Sequence, residues 1–144
     1  MGLIMQVLNK NILTIKRGII VHQVNCKKVM GKGLAREIRK EYPQHYFDYL
    51  KKEPQLGDII VTKVNPQLFI VGIYGQDNYG YGGCFTDYDA FQKGFLKIRE
   101  LAEKEKLSIY VPYKIGCGLA GGDWLIIKNI LEQVPDCYCC KVNK

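Results

Sequence analysis

The run Gly18-Ile19-Ile20-Val21-His22-Gln23-Val24 constrains the fold more than any other stretch of this chain. Its β-branched residues favour a strand. Its apolar side chains fall on both faces, so it reads as a strand buried from both sides. Residues 3–8, 58–64, 68–74, 107–112 and 136–142 read as further strands, the third and fourth joined by the tight-turn sequence Asn65-Pro66-Gln67. Amphipathic stretches alternate with them. One opens after residues 25–32 and ends near Tyr42, before Pro43, with Leu34, Ala35, Ile38 and Tyr42 on one side. Pro43 starts a second, short helix with Tyr46, Phe47 and Leu50 inward. Thr86 is placed to cap a long helix whose face carries Tyr88, Phe91, Phe95, Ile98 and Ala102, and residues 124–134 form the last helix. Strands alternating with helices predict an α/β sandwich around a largely parallel sheet.

At 144 residues, 47% of them apolar, the chain is one domain's length, residues 1–144, with enough apolar surface for a core. No stretch approaches the ~18 unbroken apolar residues of a membrane span. Residues 1–6 lack the charged start and long apolar region of a signal peptide, and Gln6 stands where a myristoylation motif wants Ser or Thr. The expectation is a soluble, cytoplasmic protein with no membrane partner. The six cysteines are then free thiols rather than disulfides. Cys137, Cys139 and Cys140 supply no matched ligand pairs, so no metal is expected, and they read as small apolar residues of the last strand. The formal charge of +7, with Lys27, Lys28, Lys32, Arg36, Arg39 and Lys40 close together, favours an anionic partner, from a nucleotide to a nucleic acid, or else marks a solvated helix face.

In open α/β sheets ligands sit beyond the carboxyl ends of strands. Two glycine-bearing loops occupy such places. In residues 25–34, Gly31 and Gly33 allow close backbone approach before a helix start. Asn25 offers a donor and an acceptor suited to ribose hydroxyls. In residues 116–124, four glycines in seven residues lie between a strand and a helix, followed by the carboxylate of Asp123. Together the loops suit a diphosphate. Neither has P-loop spacing, and the first lacks the third glycine of the dinucleotide fingerprint.

Val21-His22-Gln23-Val24-Asn25-Cys26 with Met30-Gly31-Lys32-Gly33-Leu34-Ala35 resembles the first ligand loop of a macrodomain. Pro112-Tyr113-Lys114-Ile115-Gly116-Cys117-Gly118-Leu119-Ala120-Gly121-Gly122-Asp123-Trp124 resembles the second. The likeness points to the small macrodomains that process ADP-ribose-1''-phosphate, which are similar to the yeast phosphatase of that activity and to the terminal ADP-ribose glycohydrolases. It implies a three-layer α/β/α domain with a six-stranded mixed sheet and an ADP-ribose cleft across the strand ends. Carried over by position, Ile12 would lie beside adenine, although Asn11 stands where many macrodomains have Asp. Asn25 would touch the distal ribose. The backbone of Gly31, Lys32, Gly33 and Leu34, and of Ile115, Gly116, Cys117, Gly118, Leu119 and Ala120, would hold the diphosphate, with Leu34 and Leu119 walling the cleft.

Two side chains are catalytic candidates. Asp123 would serve as base, nucleophile or orienter of water, or else only as a helix-start carboxylate. His22 would protonate a leaving group or hold a phosphate, as the matching histidine of the yeast phosphatase implies, or else be a hydrogen-bonded core residue. The terminal glycohydrolases keep an aspartate where this chain has Ala120, and a lysine in the loop that here spans residues 80–86 without one. That departure turns expectation toward removal of phosphate from ADP-ribose-1''-phosphate, with no cofactor, and predicts that Asp123→Ala abolishes turnover while binding survives. The alternatives are a non-catalytic ADP-ribose reader and an ADP-ribosyl glycohydrolase acting on modified protein or nucleic acid. Gln76, Tyr79, Tyr81 and Asp87 belong to a third loop whose tyrosines would stack on a base or ribose. His45 has no assigned role.

Overall fold

The computed structural model describes residues 4–80 and 82–142. Leu3 of the first expected strand and Tyr81 of the third loop lie outside these residues. The elements follow in the order β1 (Gln6–Asn9), β2 (Gly18–Asn25), α1 (Gly33–Glu41), α2 (Pro43–Lys51), β3 (Ile59–Asn65), β4 (Leu68–Gln76), α3 (Tyr88–Glu105), β5 (Ile109–Pro112), α4 (Trp124–Leu131) and β6 (Cys137–Lys141), with a 3-10 turn at Ile12–Thr14. The sheet order is β1-β6-β5-β2-β4-β3. All neighbours run parallel except β3, which pairs antiparallel with β4. This is the six-stranded mixed sheet of a three-layer α/β/α fold.

The central place of β2 explains its sequence. Its alternate residues Ile19 and Val21 face α3 and α4, packing with Phe91, Phe95, Ile98, Ile127 and Leu131. Ile20 faces the other layer and packs with Ile12, Ile38 and Ile70, and Val24 packs beside Met30, Tyr49 and Tyr74. The cysteines of β6 follow the same alternation, with Cys137 and Cys139 in one layer and Cys140 in the other. Burial pushes all three thiols up, Cys139 to about 12, so they behave as small apolar side chains.

Two expectations are corrected. The inward face of α2 carries His45 and Tyr49, both fully buried, while Phe47 is 52% exposed. Turning α2 so that a tyrosine and a histidine point inward works because each finds a hydrogen-bond partner beneath it. The long helix is capped by Asp87 rather than Thr86: Asp87 Oδ1 accepts from Ala90 N–H at 3.0 Å. Thr86 instead bridges to Gln76 and donates its hydroxyl hydrogen to the Gly116 carbonyl at 2.7 Å.

Candidate functional site

A cavity of about 720 Å³ opens at the carboxyl ends of β2, β4 and β5, the place where open α/β sheets hold ligands and a size that suits a small molecule. The first glycine loop, the second glycine loop, and Gln76, Tyr79 and Gly80 of the third all reach its wall. The two glycine-bearing stretches singled out in the sequence therefore do face each other.

The first ledge is the start of α1. The residue before it, Lys32, makes no side-chain cap bond to the helix, so the first-turn N–H groups are left to an external acceptor. The other two helix starts near the cavity are closed by their own carboxylates. Asp87 caps α3, and Asp123 Oδ1 accepts from Leu125 N–H at 2.9 Å at the start of α4. The helix ends thus divide the work: two bind acids of the chain, and one faces the cavity open. A Cβ added at Gly31 or Gly33 meets nothing within 4 Å, so that face has room for a ligand.

The second ledge is residues 115–120. Its closing bonds run from the N–H groups of Ile115, Cys117, Gly121 and Gly122 to the carbonyls of Pro112, Lys114, Gly118 and Gly116. Among the described residues, none of these uses the N–H groups of Gly118, Leu119 or Ala120. The four glycines serve different needs. Gly116 has φ +75°, and a Cβ at Gly118 meets open space. A Cβ at Gly121 would stand 2.1 Å from the Gly83 carbonyl oxygen, and one at Gly122 would stand 2.6 Å from that of Gly116. Gly121 lets the third loop close against the second, sealed by Phe85 N–H donating to the Ala120 carbonyl at 2.6 Å, and Gly122 lets the second loop fold back on itself.

Behind the ledges, Gln23 on β2 ties the third loop to the second. Its Nε2 donates to Gln76 Oε1 at 2.8 Å and to Thr86 Oγ1 at 3.0 Å, and Thr86 passes the chain on to Gly116. Asn25 spends much of its polarity on its own loop. Its Oδ1 accepts from Lys27 N–H at 2.9 Å and its Nδ2 donates to the Val29 carbonyl at 2.9 Å. The Tyr49 hydroxyl donates to the same end of the residue, 2.9 Å from Oδ1. Asn25 lines the cavity as a braced residue with one amide hydrogen to spare.

The structure brings Asn25, Gly31, Lys32, Gly33, Leu34, Ile115, Gly116, Gly118, Leu119, Ala120 and His22 to the cavity wall. It does not bring Ile12, Cys117 or Asp123 there. Asn11 caps the 3-10 turn through Leu13 N–H at 3.0 Å, and Ile12 then points into the core at 5% exposure. Cys117 turns its thiol toward the Ile115 carbonyl, and burial pushes it up to about 11. Cys26 is also raised, by burial first and by Asp77 next. Neither thiol is therefore a ready nucleophile at neutral pH. Asp123 is exposed and held at its helix, and its N–H donates to the Tyr88 hydroxyl at 2.9 Å. Trp124 packs against the core and tilts on Tyr113 at 5.2 Å between ring centroids. Among the described residues lining the cavity, none is Asp or Glu.

Sequence reasoning missed His45. Its Nε2 lies 2.8 Å from Nε2 of His22, and its Nδ1 lies 2.9 Å from Thr62 Oγ1. Burial, then the neighbouring His45, holds His22 well below the ordinary histidine range. Burial lowers His45 to about 4 against the upward pull of Asp48. Both rings are neutral at pH 7. The only hint in the sequence was the i, i+4 spacing of His45 and Tyr49, which puts them on one helical face. Lys114, in a left-handed conformation at φ 59°, also reaches the wall.

No protein-family model matches the chain. Over 126 residues it is 32% identical to the "Uncharacterized 17.5 kDa protein in tk-vs intergenic region" of Enterobacteria phage T4, covering 78% of this chain and 77% of that one. It is 28% identical over 129 residues to the "DNA ADP-ribosyl glycohydrolase" of Mycobacterium tuberculosis, covering 81% of this chain. The chain spans 36% of the length of that relative. Among solved structures it superposes on the macrodomain of Mycobacterium tuberculosis DarG with a TM-score of 0.76 at 21% identity, covering 99% of this chain and 100% of that one. Thermosipho africanus DarTG in complex with ADP-ribose matches with a TM-score of 0.72 at 21% identity, covering 96% of this chain and 42% of that one.

Proposed function

Because the chain belongs to the family of the phage T4 17.5 kDa protein and has the macrodomain fold, we propose that its cavity takes ADP-ribose and that the protein hydrolyses ADP-ribosyl linkages. The observation that carries this reading is the pair of N–H ledges across one cavity, the uncapped start of α1 and the 118–120 backbone. Two sets of open N–H groups with no carboxylate between them suit a diphosphate. Asn25 stands at the distal ribose, Leu34 and Leu119 wall the cleft, and Tyr79, 51% exposed on the cavity rim, offers its ring to a base.

A glycohydrolase acting on modified nucleic acid is the best-supported substrate reading. The relative that bears that name aligns over 81% of this chain. Lys32 and Lys114 lie on the cavity wall, and Lys28, Arg36 and Lys40 of the adjoining loop and helix are exposed, so a polyanion attached to ADP-ribose would meet cations. Lys27 is already paired with Asp77 at 3.5 Å, and Arg39 lies over the Tyr46 ring at 3.8 Å. Lys28, Arg36 and Lys40 are the cations we assign to the backbone of such a substrate. Asp123, spent on α4, is given a structural part. The absence of Asp and Glu from the described cavity wall favours a second reading, a reader that binds without turnover. Removal of phosphate from ADP-ribose-1''-phosphate is the third, and its support is the presence of a histidine, His22, on the wall.

A turnover panel separates the three. Mass spectrometry and phosphate release are followed on an ADP-ribosylated oligonucleotide, an ADP-ribosylated protein and ADP-ribose-1''-phosphate. Free ADP-ribose from the oligonucleotide is the expected product. Release of phosphate alone selects the phosphatase, and ADP-ribose binding without any product selects the reader.

A further inference from the structure

Four polar side chains run in a line from the surface to the cavity. Asp48, half-buried on α2, accepts from Thr62 Oγ1 at 2.6 Å through Oδ2, and its other oxygen accepts from Gln44 Nε2 at 2.9 Å. Thr62 on β3 contacts His45 Nδ1 at 2.9 Å, and His45 Nε2 contacts His22 Nε2 at 2.8 Å. His22, His45 and Thr62 are 2%, 0% and 4% exposed. The chain ends at His22 Nδ1, which is buried and has no partner among the described residues, on a residue that lines the cavity.

The direction of every bond follows from the first. A carboxylate only accepts, so the single hydroxyl hydrogen of Thr62 is committed to Asp48. Thr62 Oγ1 then has only lone pairs for His45, and Nδ1 of His45 must carry a hydrogen. In a neutral ring that leaves His45 Nε2 bare. The 2.8 Å contact between the two Nε2 atoms therefore takes its hydrogen from His22. His22 in turn holds its hydrogen on Nε2 and has a bare Nδ1. A buried acceptor left unmatched is costly, and a protein keeps one where something else completes it.

We propose that Asp48, Thr62 and His45 are positioning residues that lock His22 in the Nε2–H tautomer, so that its buried, unpartnered Nδ1, on a residue of the cavity wall, is the acceptor that a hydroxyl of the ligand's ribose completes. The bare lone pair repels a fully ionised phosphate oxygen and welcomes a neutral O–H, so it selects a sugar hydroxyl at this point of the cavity. The ligand half of the inference rests on the ADP-ribose reading; the tautomer half does not.

Nitrogen-15 spectra of the histidines in the whole protein at pH 7.5 test both halves. The free protein is expected to show hydrogen on Nε2 of His22 and on Nδ1 of His45. Hydrogen on Nδ1 of His22 overturns the chain whatever the protein binds. ADP-ribose at saturation is expected to shift His22 Nδ1 toward a hydrogen-bonded acceptor, and an unmoved resonance in the saturated protein overturns the ligand contact. If ADP-ribose does not bind at all, the functional reading and the contact fall together, while the tautomers of the free protein still judge the chain. In Thr62→Val the Nδ1–H of His45 has no acceptor, so both rings are expected to reverse and His22 to become a Nδ1–H donor. ADP-ribose then weakens about tenfold, the loss of one hydrogen bond, and Thr62→Ser restores both readings. Unchanged tautomers in Thr62→Val overturn the proposal. Should that variant not fold, Asp48→Ala frees the Thr62 hydroxyl to donate to His45 and is expected to populate both tautomers; a single unchanged tautomer there is equally contrary.

Discussion

A glycine or an aspartate can be kept for the ligand or for the fold, and single substitutions tell the two apart here. Gly118→Val adds a side chain where a Cβ meets nothing within 4 Å. It is expected to leave the melting temperature unchanged and to weaken ADP-ribose by tenfold or more, about 1.4 kcal/mol, as read by calorimetry. Gly121→Ala does the reverse. Its φ is +70° and its Cβ would stand 2.1 Å from the Gly83 oxygen. Backbone strain alone costs about 1–3 kcal/mol, so its unfolding midpoint in urea falls. Asp123→Ala removes a helix cap worth about 1 kcal/mol. Thermal melting is expected to register that loss while turnover persists. Abolished turnover at unchanged stability restores Asp123 to the chemistry. The sequence could not decide this case, because the same residue type in the same place serves an N-cap and a general base.

At the scale of elements, the buried pair of β2 and α2 makes stability depend on pH. The unfolded chain titrates its histidines near 6.5, whereas folded His45 titrates at about 4 and His22 well below the ordinary value. Between those values the unfolded chain binds more protons, so stability is full above pH 6.5 and falls as pH drops toward 4. Each histidine contributes a slope of at most about 1.4 kcal/mol per pH unit. Urea denaturation at pH 7.5 and 5 measures it, and equal midpoints contradict a neutral buried pair. This pair also marks the limit of what the sequence displays. The strands were legible because β2 is apolar on both faces, and α3 because Phe91, Phe95 and Ile98 share a face. Tyr46, Phe47 and Leu50 are more apolar than His45, so apolar pattern alone turns α2 about a third of a turn from the face it buries. A polar side chain belongs inside only when its partner is there, and that partner, His22, lies 23 residues away. The expected cap, Thr86, stands one residue before the observed one, Asp87, for a related reason: it is an equally good cap by type and is claimed by Gly116 across the loops.

Over the whole molecule, the sheet order brings three loops to one end and leaves one helix start open between them. The formal charge of +7, with Lys32 and Lys114 on the cavity wall, favours a polyanion without supplying the specificity. Affinity for an ADP-ribosylated oligonucleotide is therefore expected to fall more steeply with salt than affinity for free ADP-ribose. Parallel slopes for the two ligands argue against a nucleic-acid substrate. The most direct measurement of the central claim is calorimetric titration of the whole protein with ADP-ribose, beside Gly118→Val at the same concentration. One-site binding to the protein, lost or weakened tenfold in a variant that melts at the same temperature, is the result this account predicts. No heat of binding to the unaltered protein, or equal affinity in both, contradicts it.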